Sequence, residues 1–156
     1  MTTYPGPDWI CETREAAWQA RDSQGEMVFD GHMWIFGGWF TPQTPNPRDV
    51  WKSSDGVEWV CATPEAAWVH GDLPATMPFK DRMWLMGGRK LPGAENTNTV
   101  WSSADGADWK LESADPGWCA RVSLSFAVFQ DRMWIMGGTE NFYEDNDTTL
   151  KNDVWS

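Results

Sequence analysis

The tryptophans of this 156-residue chain recur at a fixed interval. Trp9, Trp59 and Trp109 are 50 residues apart, as are Trp18, Trp68 and Trp118, and again Trp34, Trp84 and Trp134. Trp51 and Trp101 keep the interval, and Trp155 follows four residues late, after a longer loop. Twelve of the thirteen tryptophans therefore lie on one lattice, and only Trp39 lies off it. The glycine pairs Gly37-Gly38, Gly87-Gly88 and Gly137-Gly138 share the period, as do Ser54-Asp55-Gly56 and Ala104-Asp105-Gly106. Self-similarity at this length specifies a repeat architecture in which each unit is one supersecondary motif that cannot bury its apolar face alone.

Each unit reads as four short strands. In the second, 76–79 and 82–88 flank the Lys80-Asp81 turn as a hairpin, and a variable loop runs over 89–97. Strands 99–103 and 107–112 then flank Asp105-Gly106, a pair suited to positive φ. The equivalents are 26–29, 32–38, 49–53 and 57–62 in the first unit, and 124–129, 132–138 and 153–156 in the third, which is one strand short. Pro7-Asp8-Trp9-Ile10-Cys11 aligns with Val57-Glu58-Trp59-Val60-Cys61, a fourth strand with no first three before it. Placing Thr3 directly after Ser156 would restore between Trp155 and Trp9 the eight-residue spacing of Trp51 and Trp59. Residues 1–156 thus read as a single domain of three units, cut between the third and fourth strands of one of them. Strand 7–12 is expected to complete a sheet with strands of 124–156.

The double glycines follow Met33-Trp34-Ile35-Phe36, Met83-Trp84-Leu85-Met86 and Met133-Trp134-Ile135-Met136, and are joined by Asp49-Val50-Trp51 through Gly56 and Val100-Trp101 through Gly106. Together, at fixed spacing over essentially the whole chain, these motifs resemble the kelch repeat, the unit of kelch-type β-propellers. The resemblance implies an all-β fold with three four-stranded blades per chain. Glycines would let the second strand pass close to its neighbours near the axis, and tryptophans would fill the wedge between blades. Propellers have about 4–8 blades, so three leave an open sector. The expectation is a six-bladed ring formed by a strand-swapped homodimer, each N-terminal strand completing the last blade of its partner. A fragment of a longer propeller is the alternative.

Composition narrows the partners. Twenty-three acidic residues against twelve basic ones, a formal net charge of −11, exclude a sequence-independent grip on nucleic acid or anionic lipid. No stretch approaches the ~20 apolar residues of a membrane-spanning helix, and the N-terminus carries no basic region followed by an apolar run. Cys11, Cys61 and Cys119 are too few and too far apart for a disulfide framework or a zinc site. Cys11 and Cys61 hold equivalent places on outermost strands, which points to packing. A cytoplasmic protein with no cofactor, no metal, no nucleic-acid partner and no membrane contact is expected. The acidic stretch 140–147 offers oxygen ligands suited to Ca²⁺ but lacks the glycine and terminal glutamate of a helix–loop–helix calcium site, and reads as a solvated loop.

Strand alternation puts loops 39–47, 89–97 and 139–151 on one face, with the connections 13–23, 63–73 and 113–122. Long loops on a rigid scaffold are where binding resides. The candidate binding residues are Trp39, Arg21, Glu26, His70, Asp72, Arg89, Arg121 and Tyr143. Arg21 and Arg121 match the arginine that leads into the first strand of kelch-like sequences. Gly71 stands there in the second unit, and the histidine common three residues later is replaced by Gln24, Pro74 and Leu124. Arg21, Glu26, His70, Asp72 and Arg121 form the expected polar cluster, unless both arginines serve only to hold loop carbonyls and acids. His70, Asp72, Arg21 and Arg121 are the catalytic candidates, His70 with Asp72 as an acid–base pair; a plain surface histidine is the other reading. His32, at a hairpin turn on the opposite face, is expected to be exposed. Trp39 either stacks on a ligand or packs under its own Pro-rich loop. No Ser/His/Asp order, phosphate-cradling loop or HExxH-like spacing is present. The expected function is a binding module that captures a small molecule, glycan or peptide at the channel mouth. The alternatives are a lyase, cyclase or isomerase, or an interaction scaffold presenting an acidic face.

Overall fold

Each unit begins with a tight hairpin whose two central residues take positive φ, the backbone twist that matches two antiparallel strands. In the computed structural model, which describes residues 9–143 and 147–156, β1 (Gly25–Phe29) turns into β2 (His32–Phe36) through Asp30 and Gly31, at φ 47° and 70°. β3 (Val50–Ser53) and β4 (Val60–Thr63) complete a sheet in the order β1-β2-β3-β4. The second unit repeats it: β5 (Ala75–Phe79) and β6 (Arg82–Met86) meet at Lys80-Asp81, φ 47° and 57°. A small hairpin, β7 (Arg89–Lys90) and β8 (Glu95–Asn96), then precedes β9 (Val100–Ser103) and β10 (Lys110–Ser113). The second sheet has the order β5-β6-β9-β10. In the third, β11 (Ser125–Phe129) turns at Gln130-Asp131 into β12 (Arg132–Met136), which pairs with β13 (Val154–Trp155). Every pairing between these strands is antiparallel, and no helix occurs among the described residues. Among the described residues no helix is long and apolar enough to cross a membrane.

The strands agree with the sequence reading to within a few residues, and the differences have local causes. The Asp-Gly pairs do not make two-residue hairpins. Ser53 Oγ accepts the Asp55 and Gly56 N–H groups at 3.3 and 2.8 Å, and Asp55 Oδ1 accepts those of Val57 and Glu58, both at 2.9 Å. Ser103 and Asp105 make the same bonds. Backbone donors satisfied by side chains need no cross-strand partner, so β4 starts at Val60 rather than at residue 57. The loop 89–97 is not irregular: Gly93 and Ala94, at φ 110° and 55°, let it fold back as β7 and β8. Of the expected strand 7–12, residues 7 and 8 lie outside the described residues, and 9–12 form no strand, with Trp9 93% exposed.

β5 packs between β1 and β11, which sets the three sheets in series. Each seam is an apolar core. Met27, Trp34, Phe36 and Val50 of the first unit meet Trp68, Met83, Leu85 and Trp109 of the second. Met77, Met86 and Val100 of the second meet Trp118, Leu124 and Ile135 of the third. The series is open at its end: β11 is exposed along its whole length, whereas β1 and β5 bury alternate or successive residues.

The first two double glycines, Gly37-Gly38 and Gly87-Gly88, sit in these seams. Gly38 N donates to Gly71 O at 2.6 Å, and Gly88 N to Arg121 O at 3.3 Å, so each unit is hydrogen-bonded to the next. A Cβ on Gly88, at φ 101°, would lie 2.4 Å from His70 O; one on Gly93, at φ 110°, would meet nothing within 4 Å. Gly93→Ala is therefore expected to lose about 1 kcal/mol, from backbone strain alone. Gly88→Ala should lose about 3 kcal/mol or more, because strain and collision with a fixed carbonyl combine. Urea unfolding of the two variants measures the difference.

Candidate functional site

The loops of successive units are tied edge to edge on one side of the sheets. Asn46, buried, donates through Nδ2 to Gly38 O at 3.0 Å and accepts the Leu91 N–H at 2.6 Å, which links the first loop to the β7–β8 hairpin. Asn96, fifty residues on, donates to Glu140 O at 2.7 Å and links that hairpin to the third loop. The result is one continuous loop surface held by the seams beneath it.

Arg21 and Arg121 lie under this surface with side chains 1% exposed. Arg21 makes a two-pronged bond to Asp49, at 2.5 and 2.9 Å, and donates to Gly37 O at 3.0 Å and Gln19 O at 2.9 Å. Arg121 does the same with Asp153, Gly137 O and Cys119 O, and also bonds Cys119 Sγ at 2.8 Å. Burial opposes the charge on Asp49, yet the Arg21 and Trp51 hydrogen bonds hold its carboxyl below the usual range. The Arg121 hydrogen bond does so more strongly for Asp153. Burial pushes the Cys119 thiol up. These arginines pin the second-strand glycines to the start of the third strand within each unit. The second unit lacks both halves of the pair, with Gly71 and Thr99 at the equivalent positions. There Gly71 lies directly against the Trp68 ring, where a Cβ would come within 2.8 Å of it.

One backbone bridge recurs in every unit with different side chains: Asp22 with Trp39, Asp72 with Arg89, and Val122 with Thr139. The second carries a buried ion pair. Arg89 donates through Nε to Asp72 Oδ2 at 2.7 Å, and its Nη2 lies 2.5 Å from the same oxygen, while Arg89 Nη1 and Asp72 Oδ1 are buried without a hydrogen-bond partner. Burial pushes the Asp72 carboxyl up, against the pull of Arg89. The Arg89 guanidinium lies 5.2 Å from the ring centre of Phe142 and 5.3 Å from that of Tyr143, within cation–π range. Arg89, Asn96, Asn141, Phe142 and Tyr143, with Ala94 and Glu140, line a cavity of about 210 Å³.

The expected residues thus separate. Asp72, Arg89 and Tyr143 come together; Arg21 and Arg121 are engaged in their own units. Glu26 is exposed on β1, where its carbonyl accepts Thr76 Oγ1 at 3.0 Å. Trp39 is half-buried, its backbone bonded to Asp22. His70 makes no hydrogen bond to Asp72; its Nε2 is buried without a partner, and burial depresses its pKa, with the Glu95 and Lys90 charges opposing each other. His32 is half-buried against Trp34, its ring N–H donating to Asp30 O at 2.7 Å. Cys11 and Cys61 are exposed rather than packed; Cys61 lies on β4, the edge strand of its sheet, and Cys11 in no strand. In the acidic stretch 140–147, residues 144–146 lie outside the described residues. Phe142, Asp49, Asp153, Asn46 and Asn96 were not singled out from the sequence. The joint replacement of Arg21/Asp49 by Gly71/Thr99 is the signal that identifies the ion pairs.

No protein-family model matches this chain, and none of the curated proteins compared with it is significantly similar.

Two acid-dependent losses of stability follow. His70 is harder to protonate folded than unfolded, so its contribution is present above about pH 6.5 and lost as pH falls below it. Asp49 and Asp153 are held below the unfolded carboxyl range, so theirs is present above about pH 4 and lost in stronger acid. Urea midpoints across pH should show His70→Gln removing the first phase only. Arg21→Met should weaken the second phase and cost about 3 kcal/mol at neutral pH, since Asp49 then stays partly buried without its partner.

Proposed function

We propose that this chain is a binding module of the kelch-type β-propeller class, assembled as two copies in a six-bladed ring, which captures a small molecule, glycan or peptide at its loop-rich face. One observation carries the functional reading. The cavity beside Arg89 combines a buried cation, two aromatic rings and side-chain amides, all on loops tied to rigid seams. That is the mixture by which a concave site orients a small polar ligand. The acid–base pair that an enzyme would draw from His70 and Asp72 is not formed, since Asp72 is bonded to Arg89, and this favours capture over turnover. Three repeated sheets in series, with their first strands adjacent and double glycines in the seams, support the propeller reading.

A thermal-shift panel of monosaccharides, oligosaccharides, small carboxylates and short peptides tests the site. At least one class is expected to raise the melting temperature. That shift should vanish in Tyr143→Ala and Phe142→Ala, whose exposed rings leave the unliganded melting temperature within about 1 °C. Absence of any response across the panel, or a response unchanged by both substitutions, would overturn the assignment.

A further inference from the structure

A second cavity, of about 180 Å³, opens in the seam between the second and third sheets. Its walls include Met86, Val100, Trp118, Met133, Ile135 and Trp155. Each is the lattice equivalent of a residue in the seam between the first and second sheets: Phe36, Val50, Trp68, Met83, Leu85 and Trp101, displaced by 50 residues and, for the last, by 54. In that seam the same positions surround an indole. Trp109, 8% exposed, belongs to the core formed by the first five, with Trp101 packed against it. Its ring meets Phe36 and Trp68 edge-on, with ring centres 5.8 and 6.0 Å away. The cavity thus lies where the equivalent seam holds Trp109, and no described residue of the third unit fills it.

The lattice puts that tryptophan at Trp9, which is 93% exposed and followed by Ile10 at 74%. We propose that the cavity receives Trp9 of a second copy of this chain, and that residues 9–12 of that copy add to β13 as an antiparallel fourth strand. This rests on the two-copy ring reading and deepens it by naming the residue, the pocket and the register. In the first two units Trp51 pairs with Cys61 and Lys52 with Val60, and Trp101 pairs with Leu111 and Ser102 with Lys110. The same register sets Cys11 opposite Trp155 and Ile10 opposite Ser156. Exposure elsewhere agrees with a missing neighbour. Val154 is 59% exposed, whereas Val50 and Val100 are 0% and 8%; Met33, on the outer face of the first sheet, is 40% exposed, whereas Met83 is 0%. A twofold pairing would fill both cavities and cover both free edges.

Light scattering after size exclusion is expected to give twice the chain mass for the wild type. Trp9→Ala should raise the dissociation constant at least 100-fold, as loss of a buried interface tryptophan does, with Trp9→Phe between the two. Trp9 stands clear of the sheets in the single chain, so circular dichroism should show the Trp9→Ala monomer folded. Ile10→Cys with Ser156→Cys, in a background with Cys11, Cys61 and Cys119 changed to Ser, should give a reducible band of doubled mass under mild oxidation. A monomeric wild type would overturn both this inference and the ring reading. A dimer that Trp9→Ala leaves intact, or a disulfide formed within one chain, would overturn the Trp9 assignment while the ring stands.

Discussion

Each of the three repeated sheets is apolar on both faces, and none can be covered by itself. β6 shows the constraint in five residues. Met83 and Leu85 point into the core shared with the first sheet, while Trp84 and Met86 belong to the core shared with the third. Alternation along a strand sends neighbours to opposite faces, so a strand apolar at successive positions needs a packed layer on each side. Burial of each such side chain contributes about 1.5–3 kcal/mol, which two seams together supply many times over. Stacking in series follows from that requirement, and so does the exposure of β11, which has no further sheet against it.

Close stacking of twisted sheets leaves a gap that narrows on one side, and the sequence treats the two sides differently. On the narrow side the glycine pairs hydrogen-bond the lead-in segment of the next unit, at a separation that no Cβ would permit. On the wide side indoles fill the space; several of their N–H groups are satisfied locally, while those of Trp18 and Trp68 are buried without a partner. Trp34, Trp84 and Trp134 each donate to the carbonyl of the phenylalanine that ends the preceding strand, at 2.9 Å. Trp59 and Trp109 donate to Gly56 and Gly106. Gly106 in turn must be glycine, because a Cβ there would lie 2.2 Å from the Trp34 ring of the preceding unit.

Periodicity made the units legible because it reports packing directly: a residue type repeated every 50 positions occupies equivalent surroundings. Departures from the lattice were less readable. The second unit has Gly71 and Thr99 where the others have the arginine and the aspartate, but neither residue announces by itself that Gly71 packs against the Trp68 ring. Arg89 stood out only as a charged residue beside a glycine pair. Its significance comes from Asp72, seventeen residues earlier, and from Phe142 and Tyr143, more than fifty later. His70 and Asp72 are neighbours in sequence, and proximity suggested a pair. The backbone bridge instead delivers Asp72 to Arg89 and leaves the half-buried His70 with Nε2 unpartnered.

The sequence by itself determined the unit, the four-strand pattern within it, the turns at positive φ and the sites where only glycine fits, because these depend on local sterics and on side-chain alternation. It also put Trp9 on the same 50-residue register as Trp59 and Trp109. Tertiary structure decided which polar groups meet, since those bonds join loops of different units and depend on how far each seam rotates one sheet against the next. It also decided where a seam leaves a cavity, which is a property of several residues brought together that no one of them signals alone.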